Sequence, residues 1–209
     1  MSERRLLIDN DAFVLLAGAN LLEEAVGEAG FVIAESRRLR SLEFMLRKPA
    51  RAFQKYPAEA INRALQACAR IAPVEHSPDV ALLDVFTEIV GVDEGEAVLF
   101  GLMAEHQFHF LASNDKTAMR AVATNPKLQE VRKRIAGRVY CMELLVEKLL
   151  VSIGPEVVAQ RFAPLMPIEK RISTILSPAI TGRPQDCRGA IQSFLDGLRH
   201  ELGDDFLCR

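Results

Sequence analysis

The run Leu6-Leu7-Ile8 closes on Asp9-Asn10-Asp11, and no other stretch limits the choice of fold as much. A short apolar run bounded by polar residues reads as a buried strand. A carboxylate at the carboxyl end of such a strand projects into the crevice where open α/β sheets hold ligands. Asp9 is therefore the first candidate site residue. Two later stretches repeat the theme, Val92-Asp93-Glu94-Gly95-Glu96-Ala97 and Phe108-His109-Phe110-Leu111-Ala112-Ser113-Asn114-Asp115-Lys116. Together they suggest acids delivered from separate parts of the chain to one sheet edge.

After the first strand, Phe13, Leu15, Leu16, Ala19, Leu22 and Val26 recur at helical spacing until Gly27 and Gly30 break the pattern. Phe31-Val32-Ile33-Ala34 reads as a second strand, which makes a right-handed parallel crossover of this unit. A basic stretch follows, with Arg37, Arg38, Arg40, Arg47, Lys48, Arg51 and Lys55 around Glu43 and with Phe44, Met45 and Phe53 interleaved. Ala58 to Cys68 reads as a helix, and Ile71 to Val74 as a brief strand that Pro73 confines to an edge. Ser77-Pro78 opens a helix that Gly91 ends. Asp93 followed three residues later by Glu96 is a capping-box pattern ahead of another. Phe108 to Ala112 and Val139 to Cys141 read as strands, and everything from Leu144 onward as helix punctuated by Pro164, Pro167, Pro178 and Pro184. The expected organisation is an α/β domain over 1–143 and an all-helical extension over 144–209.

With 49% hydrophobic and 26% charged residues, the composition is ordinary for a globular protein and indicates neither disorder nor low complexity. No apolar run approaches the roughly 18 residues that cross a bilayer, and Met1 to Arg5 lead straight into a strand instead of a signal sequence, so a cytoplasmic protein without a membrane partner is expected. Cys68, Cys141, Cys187 and Cys208 are scattered, which argues for idle thiols and against a disulfide framework or thiolate zinc site. His106 and His109 straddle a helix end and a strand start and share no helical face. A formal net charge of −2 advertises no nucleic-acid binding by the chain as a whole, so any such role rests on the local basic stretch.

In order and separation the three acidic stretches resemble the PIN-domain family, the metal-dependent nuclease fold found in many prokaryotic ribonuclease toxins. The resemblance runs from about Leu6 to Cys141. It rests on Leu7-Ile8-Asp9-Asn10-Asp11, on Gly95-Glu96-Ala97 leading a helix, and on Leu111-Ala112-Ser113-Asn114-Asp115-Lys116. It implies a three-layer parallel sheet flanked by helices, with Asp9, Glu96 and Asp115 as ligands of Mg²⁺ or Mn²⁺ at the carboxyl end of that sheet. The family also places an acid on the helix after its second strand. Arg40 occupies that position here, so Glu43, one turn beyond, is taken as the fourth catalytic acid ahead of Glu35. The helical extension has no counterpart in the family.

Carboxylates gathered at one place repel one another unless divalent cations compensate them, and hard oxygen donors select Mg²⁺ or Mn²⁺. Such a centre hydrolyses phosphodiesters through activated water and needs no nucleophilic side chain. The expected activity is that of an endonuclease, with RNA ahead of DNA as substrate and Arg37, Arg38, Arg40 and Lys116 as contacts to its phosphates. An inhibitor protein and self-association are compatible partners.

Each residue also has a plainer reading: Glu96 completes a capping box, Asp115 caps a helix, Asp9 ends a strand in solvent, and the arginines form a solvated face. Two other functions compete. A catalytically degenerate scaffold that binds nucleic acid or protein is suggested by Arg40, and a haloacid-dehalogenase-type phosphatase by the pair Asp9 and Asp11 with Asp204-Asp205 as a closing motif.

Overall fold

The structure, a computed structural model, describes residues 4–48 and 54–209; Arg51 and Phe53 of the basic stretch lie outside the described residues. Among the described residues five short strands form one parallel sheet: β1 (Arg5–Ile8), β2 (Arg37–Arg38), β3 (Ala72–Pro73), β4 (His109–Ser113) and β5 (Val139–Cys141). Their order is β3-β2-β1-β4-β5. From β1 the chain builds outward to one side, then returns to lay β4 against the other flank of β1, in register from Arg5 opposite His109 to Ile8 opposite Ala112. The strand order therefore reverses between β1 and β4, and open α/β sheets hold ligands in the crevice at that point.

The helices are α1 (Asn10–Gly18), α2 (Leu22–Glu28), α3 (Ser41–Arg47), α4 (Ala58–Cys68), α5 (Val80–Thr87), α6 (Glu94–Glu105), α7 (Lys116–Thr124), α8 (Gln129–Ile135), α9 (Met142–Ser152), α10 (Pro155–Phe162), α11 (Lys170–Ile180) and α12 (Asp186–Leu202). They flank the sheet, with α1 packed on α4 and α2 on α9, and the chain is of the α/β class with a parallel sheet. Leu6, Leu7 and Ile8 are almost wholly buried, which is why β1 reads as an unbroken apolar run and does not alternate.

Three local expectations are corrected. Phe31 to Ala34 forms no strand: Ile33–Glu35 is a single 3-10 turn, and the second strand is Arg37–Arg38, inside the basic stretch. The pairing partner for β1 is thus chosen by tertiary fit over apolar content, and Arg38 is buried as a result. The helix expected from Phe13 to Val26 is two, because Asn20 takes a left-handed conformation (φ 55°) between α1 and α2. Pro178 does not end its helix, since α11 runs through it to Ile180.

Leu145, Leu149, Ile191, Leu195 and Leu198 of the C-terminal helices belong to the same buried cluster as the strands. After α12, Gly203 (φ 91°) turns the chain back toward the sheet. Gly137 N–H donates to Phe206 O at 3.1 Å, Cys208 N–H to Val139 O at 2.9 Å, and Leu207 bridges Val139 in parallel. This segment covers the outer edge of β5, which would otherwise expose a row of unpaired backbone groups. The four cysteines are free and buried.

Candidate functional site

Asp9 follows β1 directly, its N–H still donating to Ala112 O of β4 at 2.9 Å. It occupies the N-cap position of α1, yet its side chain makes no capping hydrogen bond. The carboxylate is therefore not committed to the helix, and it is only 8% exposed. Ser113 Oγ, at the end of the neighbouring strand, donates to Asp9 Oδ2 over a long 3.4 Å. Burial pushes the Asp9 carboxyl up to about 7, the charge of Asp11 and to a lesser extent that of Asp115 add to this, and the N–H groups of Asn10 and Asn114 oppose it.

Asp115 caps α7, with Oδ1 accepting from Ala118 N–H at 2.8 Å, and its own N–H donates to Ser113 Oγ at 3.0 Å. Ser113 thus joins the ends of β1 and α7. Glu96 completes the capping box of α6: Asp93 N–H donates to its Oε2 at 2.8 Å, and Glu96 N–H to Asp93 Oδ1 at the same distance. The plain capping roles of Glu96 and Asp115 are real. Burial, the charges of Asp115 and Asp93 and a hydrogen bond with the Asp115 carboxyl carry Glu96 up to about 8, against the pull of Asp93 N–H. Gly95 lets this turn approach the segment between β2 and α3, since a Cβ there would stand 2.8 Å from Leu39 Cδ1.

These turns enclose an open cleft of about 500 Å³ whose lining includes six carboxylates, Asp9, Asp11, Asp93, Glu94, Glu96 and Asp115, and, among the described residues, no lysine or arginine. Ser41 and Met45 of α3 line it as well. Among the described residues, Asp9, Glu96 and Asp115 have no ion pair with a basic side chain. Asp11 does, its Oδ2 lying 3.5 Å from Lys55 Nζ while Oδ1 accepts from Tyr56 OH at 3.2 Å. Burial and the nearby acids Asp11, Glu169 and Asp9 hold the Tyr56 phenol protonated well above its usual range.

The remaining predicted residues stand elsewhere. Glu43 does not line the cleft. It accepts from Arg47 at 2.8 Å and from Arg38 at 3.1 Å, which hold its carboxyl below the usual range. Glu35 is exposed in the 3-10 turn. The second acid of the resemblance is thus not at the cleft, and Asp93 and Glu94 line it instead. Arg38 is 4% exposed, and its guanidinium donates to the carbonyls of Ile71, Leu39 and Cys68 as well as to Glu43. It ties the edge of the sheet together and has no free face for a phosphate. Arg37 donates to Ala34 O and Ser36 O and lies 3.8 Å from Glu75. Arg40 is exposed, with Nε on Val74 O and Nη2 on Glu75 O.

Lys116 is buried and turned away from solvent. Its Nζ donates to Asn114 Oδ1 at 2.9 Å and lies 2.8 Å from Glu143 Oε2, a charge contact outside hydrogen-bond geometry. Asn114 Nδ2 in turn donates to Glu169 ahead of α11. The C-terminal helices thereby brace the turn that carries Asp115, a role for Glu143 and Glu169 that their sequence surroundings did not signal. Asp205 pairs with Arg132 at 2.5 Å and is not at the cleft, so Asp9 and Asp11 lack the closing acids of the dehalogenase reading. His106 and His109 lie with ring centroids 4.6 Å apart and planes tilted by 56° near the amino end of β4, away from the acids.

The donors of the cleft are hard carboxylate oxygens, the kind that divalent cations favour, and Asp11 among them is paired with Lys55. Among the described residues no three Asp, Glu, His or Cys side chains are gathered closely enough to hold one ion. Comparison of the chain with models of known protein families, with curated proteins and with solved structures finds no match.

Proposed function

We propose that the protein is a PIN-like, Mg²⁺- or Mn²⁺-dependent nuclease acting on RNA. The observation that carries this reading is the cleft at the strand-order reversal, with six carboxylates and, among the described residues, no basic side chain in its lining. Without a bound cation such a group of acids is partly protonated, as the raised proton affinities of Asp9 and Glu96 indicate. A divalent cation supplies charge compensation when bound and acidifies water for attack on a phosphodiester. Asp9 and Asp115 would hold it, with Glu96 beside them. Ser113 orients Asp9 and the Asp115 turn, and Asp11 stays tethered to Lys55 and Tyr56 at the rim.

A second reading is a degenerate scaffold that binds nucleic acid without cutting it. Two observations favour it: Arg40 and Glu43 bring no fourth acid to the cleft, and among the described residues the acids gather no three-donor group. One experiment separates the two. Purified protein is incubated with single-stranded RNA and DNA in the presence of Mg²⁺, Mn²⁺ or chelator, alongside Asp9→Asn. The nuclease reading requires metal-dependent cleavage that Asp9→Asn abolishes while the protein stays folded. Absence of cleavage on every substrate, or cleavage that survives the substitution, would leave the scaffold as the better account.

A further inference from the structure

Helix α3 borders the acidic cleft through Ser41 and Met45. Between them Phe44 stands 65% exposed, and Lys48 Nζ lies 5.5 Å from its ring centroid. One exposed apolar side chain needs no explanation by itself. The surroundings of this one do. From Glu35 to Lys48 the sequence carries five basic and two acidic side chains, against an acidic balance for the whole chain. Glu43 is shared between Arg38 and Arg47, so that cluster keeps a positive charge, and Arg40 is bonded to carbonyls alone. Among the described residues Lys48 has no acidic partner, and Arg47 is 68% exposed. Phe44 stands three residues after Ser41 on α3 and is thus a helical neighbour of a side chain that lines the cleft, and Lys48 at the end of the helix reaches its ring.

We propose that Phe44 is a base-stacking platform at the edge of the acidic cleft, with Lys48, Arg47 and Arg40 taking the flanking phosphates, and that the ligand is therefore single-stranded nucleic acid. This rests on the nuclease reading of the cleft. A base offers its face to an aromatic ring only when it is not stacked within a duplex, and aromatic side chains set among cations bind single strands with little sequence preference. Charge selects the polyanion over an apolar protein partner, and the exposed ring selects the unpaired strand. The platform would feed the backbone toward Asp9.

The test is fluorescence anisotropy of labelled oligouridylate, oligothymidylate and a duplex of matched length, all with chelator present so that nothing is cut. Wild-type protein should bind both single strands and prefer them to the duplex. Phe44→Ala should weaken single-strand binding about 5- to 150-fold, the range of losses seen when one stacking aromatic is removed. Phe44→Tyr should retain it. Lys48→Gln should lower the slope of log K against log salt by about 0.7. An adenine analogue whose emission responds to stacking should change on binding to wild-type protein and not to Phe44→Ala. Equal affinity of Phe44→Ala and wild type, duplex bound as tightly as single strands, or no binding at all would overturn the proposal. Stacking without any Mg²⁺-dependent cleavage would remove the nuclease reading and keep the platform; cleavage with an inert Phe44 would do the reverse.

Discussion

Lys116 Nζ and Glu143 Oε2 face each other across 2.8 Å with both side chains at most 2% exposed, directly behind the turn that presents Asp115. A charge pair this deep holds only while both members remain. Breaking it from one side leaves an uncompensated buried charge, typically costing about 3 to 5 kcal/mol. Arg171, 3.8 Å from Glu143 Oε1 and 41% exposed, is a weak substitute. Lys116→Met should therefore destabilise strongly, whereas Lys116→Met combined with Glu143→Leu should recover much of the loss. Urea denaturation of the single and double variants checks this, and a double variant no more stable than Lys116→Met would refute the buried-pair account.

The pH dependence of stability follows from Asp9. Its carboxyl is raised from the ordinary aspartate range to about 7, so between about pH 4 and pH 7 the folded chain holds a proton that the unfolded chain has lost. Stability falls as pH rises through that window, and the penalty is complete above it. Asp9→Asn removes the penalty. With chelator present the variant should match wild type near pH 4 and exceed it near pH 8 by up to about 4 kcal/mol. Thermal unfolding at the two pH values tests this, and a variant less stable than wild type near pH 8 would mean that the carboxylate is structurally required.

Glu96 carries a cap and a charge that can be separated. Glutamine retains an oxygen to accept from Asp93 N–H and loses the charge; alanine loses both. Glu96→Gln should thus be the more stable of the two by about 0.5 to 1.5 kcal/mol, the net worth of one hydrogen bond. Both should lack cleavage activity. Equal melting temperatures would show that the capping bond contributes nothing.

The segment after α12 should act as a seal on β5. Phe206 and Leu207 are at most 2% exposed, and ending the chain after Asp205 removes both. At roughly 1.5 to 3 kcal/mol for each large side chain, a loss of about 3 to 6 kcal/mol is expected. The uncovered strand edge should also promote association. Calorimetry with light scattering measures both effects, and an unchanged melting temperature would exclude the seal.

Calorimetry of Mn²⁺ binding provides a further check. An ion held by Asp9 competes with the proton that the apo protein retains up to about pH 7, so binding near pH 6 should release protons and weaken as pH falls. Heats that are independent of the buffer's ionisation enthalpy would show that Asp9 is not involved.

Local chemistry determined a large part of this protein. The unbroken apolar run of β1, the capping box of Asp93 and Glu96, the cap at Asp115, and the proline that keeps β3 at an edge are all decided by a few adjacent residues. So is the placement of the acids at helix starts after turns. What adjacent residues could not decide was which partner each buried group would find. Arg38 reads as a solvated cation until the sheet buries it against three carbonyls, and Lys116 as a phosphate contact until β5 delivers Glu143 behind it. Phe31 to Ala34 is apolar enough for a strand, yet the pairing edge of β1 accepts Arg37 and Arg38. Capping depends on contacts within one turn of chain, whereas burial of a charge depends on partners tens of residues away. Only the tertiary structure supplies those.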